Sequence, residues 1–173
     1  MTTFYTSDHH FNHNKIIEYA ERPFSNMEEH NEALIERYNS RVQPEDTVMF
    51  LGDVFFSDKV WAAGAMERLK GHKQLVMGNH DRMSVTKFKS MGFEEVHRKQ
   101  TLVRIADHEC VLSHYPFPAD VPRLLAIGFF LHGHVHTRNK RVGRNIHVGV
   151  DAWDYYPASE EEIGRLMDEF NRE

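Results

Sequence analysis

Seven residues of the chain have side chains and spacings suited to holding metal ions: Asp8, His10, Asp53, Asn79, His114, His134 and His136. Histidine is in excess, with 13 in 173 residues, and it clusters at His9, His10 and His13 and again at His132, His134 and His136. The clusters are interspersed with acids and apolar residues, unlike a tag. Solvent-facing imidazole is one reading of the excess. Metal binding is the other, because imidazole and carboxylate are the usual ligands of borderline divalent metals. Asp8 and His10 are two residues apart, as are His134 and His136. At the end of an extended strand such pairs point the same way, so each pair is expected to reach one ion, with His9 pointing elsewhere. Gly133 is expected to allow close backbone approach or a positive φ. Asp53 follows Gly52, and its two oxygens can bridge two ions. Asn79 offers an amide oxygen and His114 a further imidazole. Seven ligands exceed one tetrahedral ion and suit two ions that share Asp53. Paired metals about 4 Å apart are the recurring device for in-line displacement at phosphorus.

The elements that must position these residues can be read from the same sequence. Thr3–Ser7, Val48–Leu51, Leu75–Met77, Cys110–Leu112 and Ile127–Leu131 are short apolar or β-rich runs, each ending in a polar cluster. Near-continuous apolar strands imply sheets covered on both faces. Ser25-Asn26-Met27-Glu28 matches a capping box ahead of Leu34, Ile35 and Tyr38. Ser57–Leu69 predicts a second helix with Trp61, Ala65 and Leu69 on one face. Val85–Met91 predicts a third, closed by Gly92. Ser159 to Glu162 repeats the capping box ahead of Ile163, Leu166, Met167 and Phe170. Strands and helices alternate in the first half and strands dominate the second, which points to an α/β layered sandwich. Sites in open α/β sheets form at the carboxyl ends of strands, where all five polar clusters fall.

Composition narrows the classes. At about 150 residues per domain the chain, residues 1–173, is expected to be one domain. Lys plus Arg is 21 and Asp plus Glu is 26, a net charge of −5, which counts against extended nucleic-acid binding. The single cysteine, Cys110, excludes an intrachain disulfide and a multi-Cys zinc site, and it reads as core. The start, Met1-Thr2-Thr3-Phe4, lacks a basic n-region, and the longest apolar run, around Leu124 to Leu131, is too short to span a bilayer. A reducing, cytoplasmic setting without membrane attachment is the default expectation.

In chain order the motifs are Asp8-His9-His10, Gly52-Asp53, Gly78-Asn79-His80-Asp81, His114 and Gly133-His134-Val135-His136. This series resembles the calcineurin-like metallophosphoesterase superfamily, and its five blocks cover residues 8–136. Ser7 to Phe11 with His13, Arg22-Pro23-Phe24 and Val148 to Trp153 resemble a small phage-type and bacterial branch of it. The resemblance implies a layered α-β-β-α sandwich. It implies a first ion on Asp8, His10, Asp53 and His136 and a second on Asp53, Asn79, His114 and His134. It further implies that His80 is a general acid or transition-state donor rather than a ligand, with Asp81 orienting its imidazole. The implied reaction is hydrolysis of a phosphoester by hydroxide formed between the ions. Protonated His80 donates to the leaving oxygen, a step worth roughly 10²–10⁴-fold. Mixed N/O ligation without thiolate fits Mn, Fe, Zn, Co or Ni, and the resemblance favours Mn.

Other residues keep two readings. His13 is either a neighbour of the bound phosphate or base, or a surface residue. Arg22 is either a bidentate phosphate clamp or a cation at a helix C-terminus. Asp151, Trp153, Tyr155 and Tyr156 are either a wall for a nucleobase or core packing. Arg138, Lys140, Arg141 and Arg144 are either a solvated turn or an attractor of anionic substrate. His132 is expected in a strand facing the core, and His30, His72, His97, His108 and His147 are expected to have no role in the chemistry. A phosphodiesterase acting on small or nucleotide-like phosphoesters is the favoured reading, because a chain this short leaves an open site. The alternatives are a phosphomonoesterase or protein phosphatase, a nuclease, and a non-enzymatic scaffold; the presence of His80 counts against the last. An oligomer built on Phe55, Phe56, Trp61 or Phe117 is compatible with the sequence.

Overall fold

The computed structural model of the chain describes residues 1–56, 59–118 and 128–172. In the first half the elements are β1 (Thr3–Thr6), α1 (Ile16–Tyr19), α2 (Met27–Arg41), β2 (Thr47–Phe50), α3 (Lys59–Arg68), β3 (His72–Val76) and α4 (Val85–Ser90). Then follow β4 (Phe93–His97), β5 (Gln100–Ile105), β6 (His108–Ser113), β7 (Phe129–His132), β8 (Arg141–Val142) and β9 (Asn145–His147). A 3₁₀ turn at Val150–Ala152, β10 (Ala158–Ser159) and α5 (Glu160–Phe170) close the chain.

The strands form two five-stranded sheets, ordered β10-β1-β2-β3-β4 and β5-β6-β7-β9-β8. β1 to β4 are parallel and β10 is antiparallel to β1. In the second sheet β6, β7 and β9 are parallel, flanked by antiparallel β5 and β8. Alternation along the first sheet explains its apolar runs. Phe4, Val48, Phe50 and Leu75 pack with Leu34, Ile35 and Tyr38 of α2 and Ala62 and Met66 of α3. Tyr5, Met49, Leu51 and Val76 point the other way, onto Cys110, Leu112, Phe129, Leu131 and Ile146 of the second sheet. Successive side chains face opposite sides, so a strand buried on both must be apolar throughout. Cys110 is core, as expected.

The α/β sandwich expected from the sequence is present. α5 packs on the inter-sheet core through Ile163 and Met167, with Phe170 edge-on to Phe129 at 5.6 Å. On the outer face of the second sheet Phe117 stacks on Phe130 at 4.6 Å. Residues 119–127 follow; they, and with them the expected strand start at Ile127, lie outside the described residues, as does the expected helix start at Ser57. No helix among the described residues is long and apolar enough to cross a membrane.

Helix ends show where local chemistry was readable. The box at Ser159 is complete: Ser159 Oγ accepts from Glu162 N at 3.2 Å and Glu162 Oε2 accepts from Ser159 N at 2.8 Å. The box expected to open at Ser25 is shifted by one residue. Asn26 is the cap, accepting from Glu29 N at 2.9 Å, and Glu29 reaches back to Ser25 N at 2.7 Å. Asparagine caps as well as serine, so two frames competed in that segment.

Candidate metal centre

Parallel pairing of β1 and β2 delivers the first candidate ligands. The ladder continues past both strands, with Asp8 N donating to Gly52 O, His10 N to Asp53 O and Phe11 N to Val54 O, each at 3.0 Å. The two ligand-bearing loops therefore run side by side in fixed register. β3 ends at Val76 just before Asn79, β6 at Ser113 just before His114, and β7 at His132 just before His134 and His136. All five motifs thus follow the carboxyl end of a strand.

The expected i, i+2 geometry on extended backbone is not what the loops adopt. Asp8 (φ 59), His10 (φ 50), Asp53 (φ 54), His134 (φ 73) and His136 (φ 47) all lie in the left-handed region. Non-glycine residues are uncommon there, with Asp, Asn and His the best tolerated, and such strain concentrates at functional sites. Pairing within each motif comes from these tight turns. His9 is turned away, stacked on Phe11 and buried.

The ligand atoms converge. One oxygen or nitrogen from each of Asp8, His10 and His136 lies within 4.8 Å of the others, and the same holds for Asp8, Asp53 and His114. Asp53 Oδ2 stands 3.6 Å from His10 Nε2 and 3.4 Å from His114 Nε2. His114 Nδ1 donates to the Leu51 carbonyl at 2.8 Å, which leaves the lone pair on Nε2. That nitrogen faces Asn79 Oδ1 at 2.9 Å. His136 Nδ1 donates to Asp151 Oδ2 at 3.0 Å, fixing its tautomer in the carboxylate–histidine manner of metal sites. Both ring nitrogens of His10 are buried with no hydrogen-bond partner among the described residues. His134 is exposed; its backbone N–H holds both Asp8 oxygens, at 3.0 and 2.9 Å, and its ring lies 5.1 Å from that of His114.

Electrostatics tell the same story. Burial raises the Asp8 carboxyl above its ordinary value. Burial pushes Asp53 upward too, but the His114 imidazole, the His80 N–H and His10 outweigh it and hold the group at about 2. Burial lowers His114, yet the Asp53 and Asp8 carboxylates raise it to about 9. Burial drops His10 to about 2. Lone pairs from Asp53, Asn79 and His114 facing one point repel unless a positive charge lies among them. The donor set therefore fits divalent cations.

Glycines let the loops approach. A Cβ on Gly78 would lie 2.3 Å from Asp53 Oδ1, and one on Gly133 2.5 Å from Asp8 Oδ2. Gly133 serves by close approach, not by a positive φ.

His80 sits at the mouth of the cluster, with its side chain 31% exposed and its Nε2 4.0 Å from Asp53 Oδ2. His13 stands next to it, stacked on Phe56 at 4.1 Å, with ring centroids 6.1 Å from His80 and 5.3 Å from His10.

Three expectations are corrected. Asp81 does not touch the His80 ring. Its Oδ2 accepts from Asp53 N at 2.7 Å and Gly78 N at 2.8 Å, and its Oδ1 from Val54 N at 3.2 Å, so it ties the β2 and β3 loops together. Burial raises its carboxyl to about 6. Neither Arg22 nor Asp151 is free for substrate. Arg22 directs its five N–H groups to Asp151, the Asp8 and His9 carbonyls and His30 Nε2. In the basic stretch Lys140 lies over Trp153 at 4.0 Å, and Arg141 and Arg144 lie over Phe170 at 5.3 and 5.0 Å, while Arg138 is exposed beside His136. Trp153 and Tyr155 are buried in the two cores. His132, as expected, is buried in β7 and bonded to the Gly133 carbonyl.

Sequence reasoning missed Ser7, whose Oγ donates to Asp8 Oδ2 at 2.6 Å, and Tyr115, edge-on to His134 at 4.7 Å. Their adjacency to Asp8 and His114 was the available signal.

No family model matches the chain. Among curated proteins it is similar to the uncharacterized protein MJ1445 of Methanocaldococcus jannaschii, with 33% identity covering 94% of this chain and 89% of that protein. It is similar to the gene 66 protein of Mycobacterium phage L5, with 30% identity covering 99% and 96%, and to that of phage D29, with 30% covering 90% and 92%. Among solved structures, a protein of unknown function from Aquifex aeolicus superposes with a TM-score of 0.76 and 26% identity, covering 95% of this chain and 98% of that one. An archaeal phosphodiesterase superposes with a TM-score of 0.50 and 18% identity, covering 86% and 82%, a likeness of fold.

Proposed function

The chain belongs to the family of the archaeal protein MJ1445 and the gene 66 proteins of mycobacteriophages L5 and D29, and from that premise and the geometry of its site we propose that it is a metal-dependent phosphohydrolase of the calcineurin-like type, a phosphodiesterase acting on small or nucleotide-like esters. The observation that carries the reading is Asp53 Oδ2 standing between His10 Nε2 and His114 Nε2, at 3.6 and 3.4 Å. A carboxylate oxygen flanked by two imidazoles, each backed by a further carboxylate or amide, suits two cations that share it. The fold likeness to an archaeal phosphodiesterase supports the same reading. The whole chain acts as one domain in this proposal.

Asp8, His10, Asp53 and His136 would hold one ion, and Asp53, Asn79, His114 and His134 the other, with Mn as the favoured metal. When bound, such a pair supplies a nucleophilic hydroxide near neutral pH and neutralises charge on the phosphoryl oxygens. The protein's own groups do the rest. Asp151 and the Leu51 carbonyl orient the His136 and His114 rings. His80, half-buried at the cluster mouth, gives its proton to the leaving oxygen. Asp81 holds the Asp53 loop at the required distance.

The test is hydrolysis of bis-p-nitrophenyl phosphate against p-nitrophenyl phosphate by chelated enzyme, before and after Mn²⁺. Metal-restored turnover of the diester supports the proposal. Preference for the monoester replaces it with a phosphatase, and no turnover with Mn, Ni, Co or Zn overturns it.

A further inference from the structure

His80 belongs to two surroundings at once. One side of it is the ligand cluster, where its ring lies 5.3 Å from that of His10. The other is a cavity of about 820 Å³ walled by Phe55, Phe56, Met83 and Phe88 and bordered by Arg82 and Lys87. That volume lies in the range of about 300–1,000 Å³ that holds whole organic ligands, far beyond the needs of a phosphate alone. Its wall is apolar and aromatic, and Phe56 stays 37% exposed although it is a large apolar residue. Its two cations are exposed. Arg82 makes one long hydrogen bond, from Nε to the Asn79 carbonyl at 3.5 Å, and neither cation has an ion-pair partner among the described residues. In a chain of net charge −5, such a pair of cations beside an apolar wall selects one kind of ligand.

A second cavity differs. His136, whose ring is 5.0 Å from that of His10, opens on a smaller cavity of about 240 Å³ with Arg138, Tyr19 and Tyr155. His10 thus neighbours both residues, His80 bordering the large amphipathic cavity and His136 the small one. A phosphorus atom over the cluster would have one ester arm toward each.

We propose that the cavity beside His80 takes the leaving arm of the substrate, and that this arm is a nucleoside phosphate: a flat aromatic base against the exposed Phe56, with a second phosphate reaching Arg82 and Lys87. The proposal rests on the phosphodiesterase reading above. In the step concerned, water oxygen bonds to phosphorus and releases one proton to solvent, the P–O bond to the arm breaks, and the proton of His80 goes to the departing oxygen, His80 then regaining a proton from solvent. The base is held by stacking and the remote charge by cations, so both contacts persist through the reaction and set specificity.

The experiment compares the dinucleotides ApAp and ApA, which differ only in a terminal 3′-phosphate on the leaving arm, with the Mn-loaded chain. The expected result is a kcat/KM for ApAp about tenfold or more above that for ApA, the size of one charge-assisted contact. The doubly substituted R82A/K87A chain should bring the ratio to about one, with ApA as its internal reference, because ApA lacks the phosphate that the two cations would reach. Calorimetric binding of adenosine 3′-phosphate, measured beside adenosine, should weaken in the same variant and leave adenosine unchanged. Equal cleavage of ApAp and ApA, or a ratio untouched by the substitutions, overturns the proposal while cleavage of bis-p-nitrophenyl phosphate keeps the phosphodiesterase reading. If no phosphoester is cleaved at all, that reading fails and the leaving-arm assignment with it.

Discussion

Arg22 and Asp151, 129 residues apart in the chain, meet in a bidentate pair, Nε to Oδ1 at 2.8 Å and Nη2 to Oδ2 at 2.9 Å, with side chains 0% and 4% exposed. The same Asp151 Oδ2 takes the Nδ1–H of His136, and the same guanidinium holds the Asp8 carbonyl. One ion pair thus couples both ends of the ligand set. Removing one partner of a buried pair costs about 3–5 kcal/mol, because the other charge stays buried. Arg22→Met is expected to lower the urea unfolding free energy by that amount. Asp151→Asn should weaken metal binding about 10–100-fold, the usual cost of losing a carboxylate behind a ligating histidine. Arg22→Lys should rescue little, since three donors cannot replace five. Urea titration and metal titration of the three variants check this.

His80 and Asp53 should separate binding from turnover. Asp53→Asn places an amide N–H₂ among imidazole nitrogens and is expected to lose both metal and activity. His80→Ala should keep the metal content of the parent and lose about 10²–10⁴-fold in kcat, the range for a positioned proton donor. Metal analysis beside steady-state kinetics decides it. Parental kcat in His80→Ala would remove His80 from the chemistry.

Asp81 is bonded to backbone, so its loss should act on the loop rather than on the His80 proton. Asp81→Ala strands the N–H groups of Asp53, Val54 and Gly78, each costing about 1–3 kcal/mol when buried and unpaired. The expected outcome is lower stability and weaker metal binding, with the pH–rate profile of the remaining activity unmoved. A displaced profile would restore the ring-orienting role.

Two glycine substitutions should have opposite signs. Gly78→Ala drives a Cβ to 2.3 Å from Asp53 Oδ1 and 2.7 Å from Asp53 N, and is expected to abolish metal binding. Gly64, inside α3, has nothing within 4 Å of its would-be Cβ. Gly64→Ala is expected to stabilise the chain by about 0.5–1 kcal/mol. Thermal unfolding of both variants, with metal titration of the first, tests the contrast.

His30 gives a pH dependence. Its Nε2 takes a hydrogen bond from Arg22 Nη1 at 2.8 Å, so it must stay neutral. Burial first, and then the Arg22 charge, lower it to about 4. The unfolded chain, with an ordinary histidine near 6.5, binds the proton more readily, so this group's contribution is complete above about pH 6.5. It falls as the pH drops toward 4, by up to about 1.4 kcal/mol per pH unit. His30→Gln should remove that component. The difference in unfolding free energy between parent and variant is therefore expected to narrow between pH 7 and pH 4.5, and a constant difference would contradict the assignment.

Much of the site was legible because chemistry-bearing residues sit directly after apolar runs. Val48–Leu51 followed by Gly52-Asp53, and the run ending at Leu131 followed by His132 to His136, locate candidate ligands without knowledge of contacts. The capping box at Ser159 was equally local. What was hidden depends on pairing across the chain. Nothing near Arg22 in sequence points to Asp151, and nothing near Asp81 says that its acceptors serve the loop of Asp53. The backbone of the ligands was misjudged for a different reason. Side-chain alternation was extended past the strand ends, where the chain had already turned left-handed. Two-residue strands such as β8 and β10 carry too few side chains to leave a periodic signal.

Those left-handed candidate ligands set an alphabet. Asp8, His10, Asp53, His134 and His136 occupy backbone states that Asp, Asn, His and Gly enter at least cost, and that β-branched or bulky residues enter only with strain. Exchange of one ligand for another is therefore filtered twice, by the donor atom and by the residue's tolerance of the turn. Descendants of this scaffold can trade imidazole for carboxylate or amide at these positions with little rebuilding. A thiolate centre or a longer acidic arm would require the loops themselves to be redrawn.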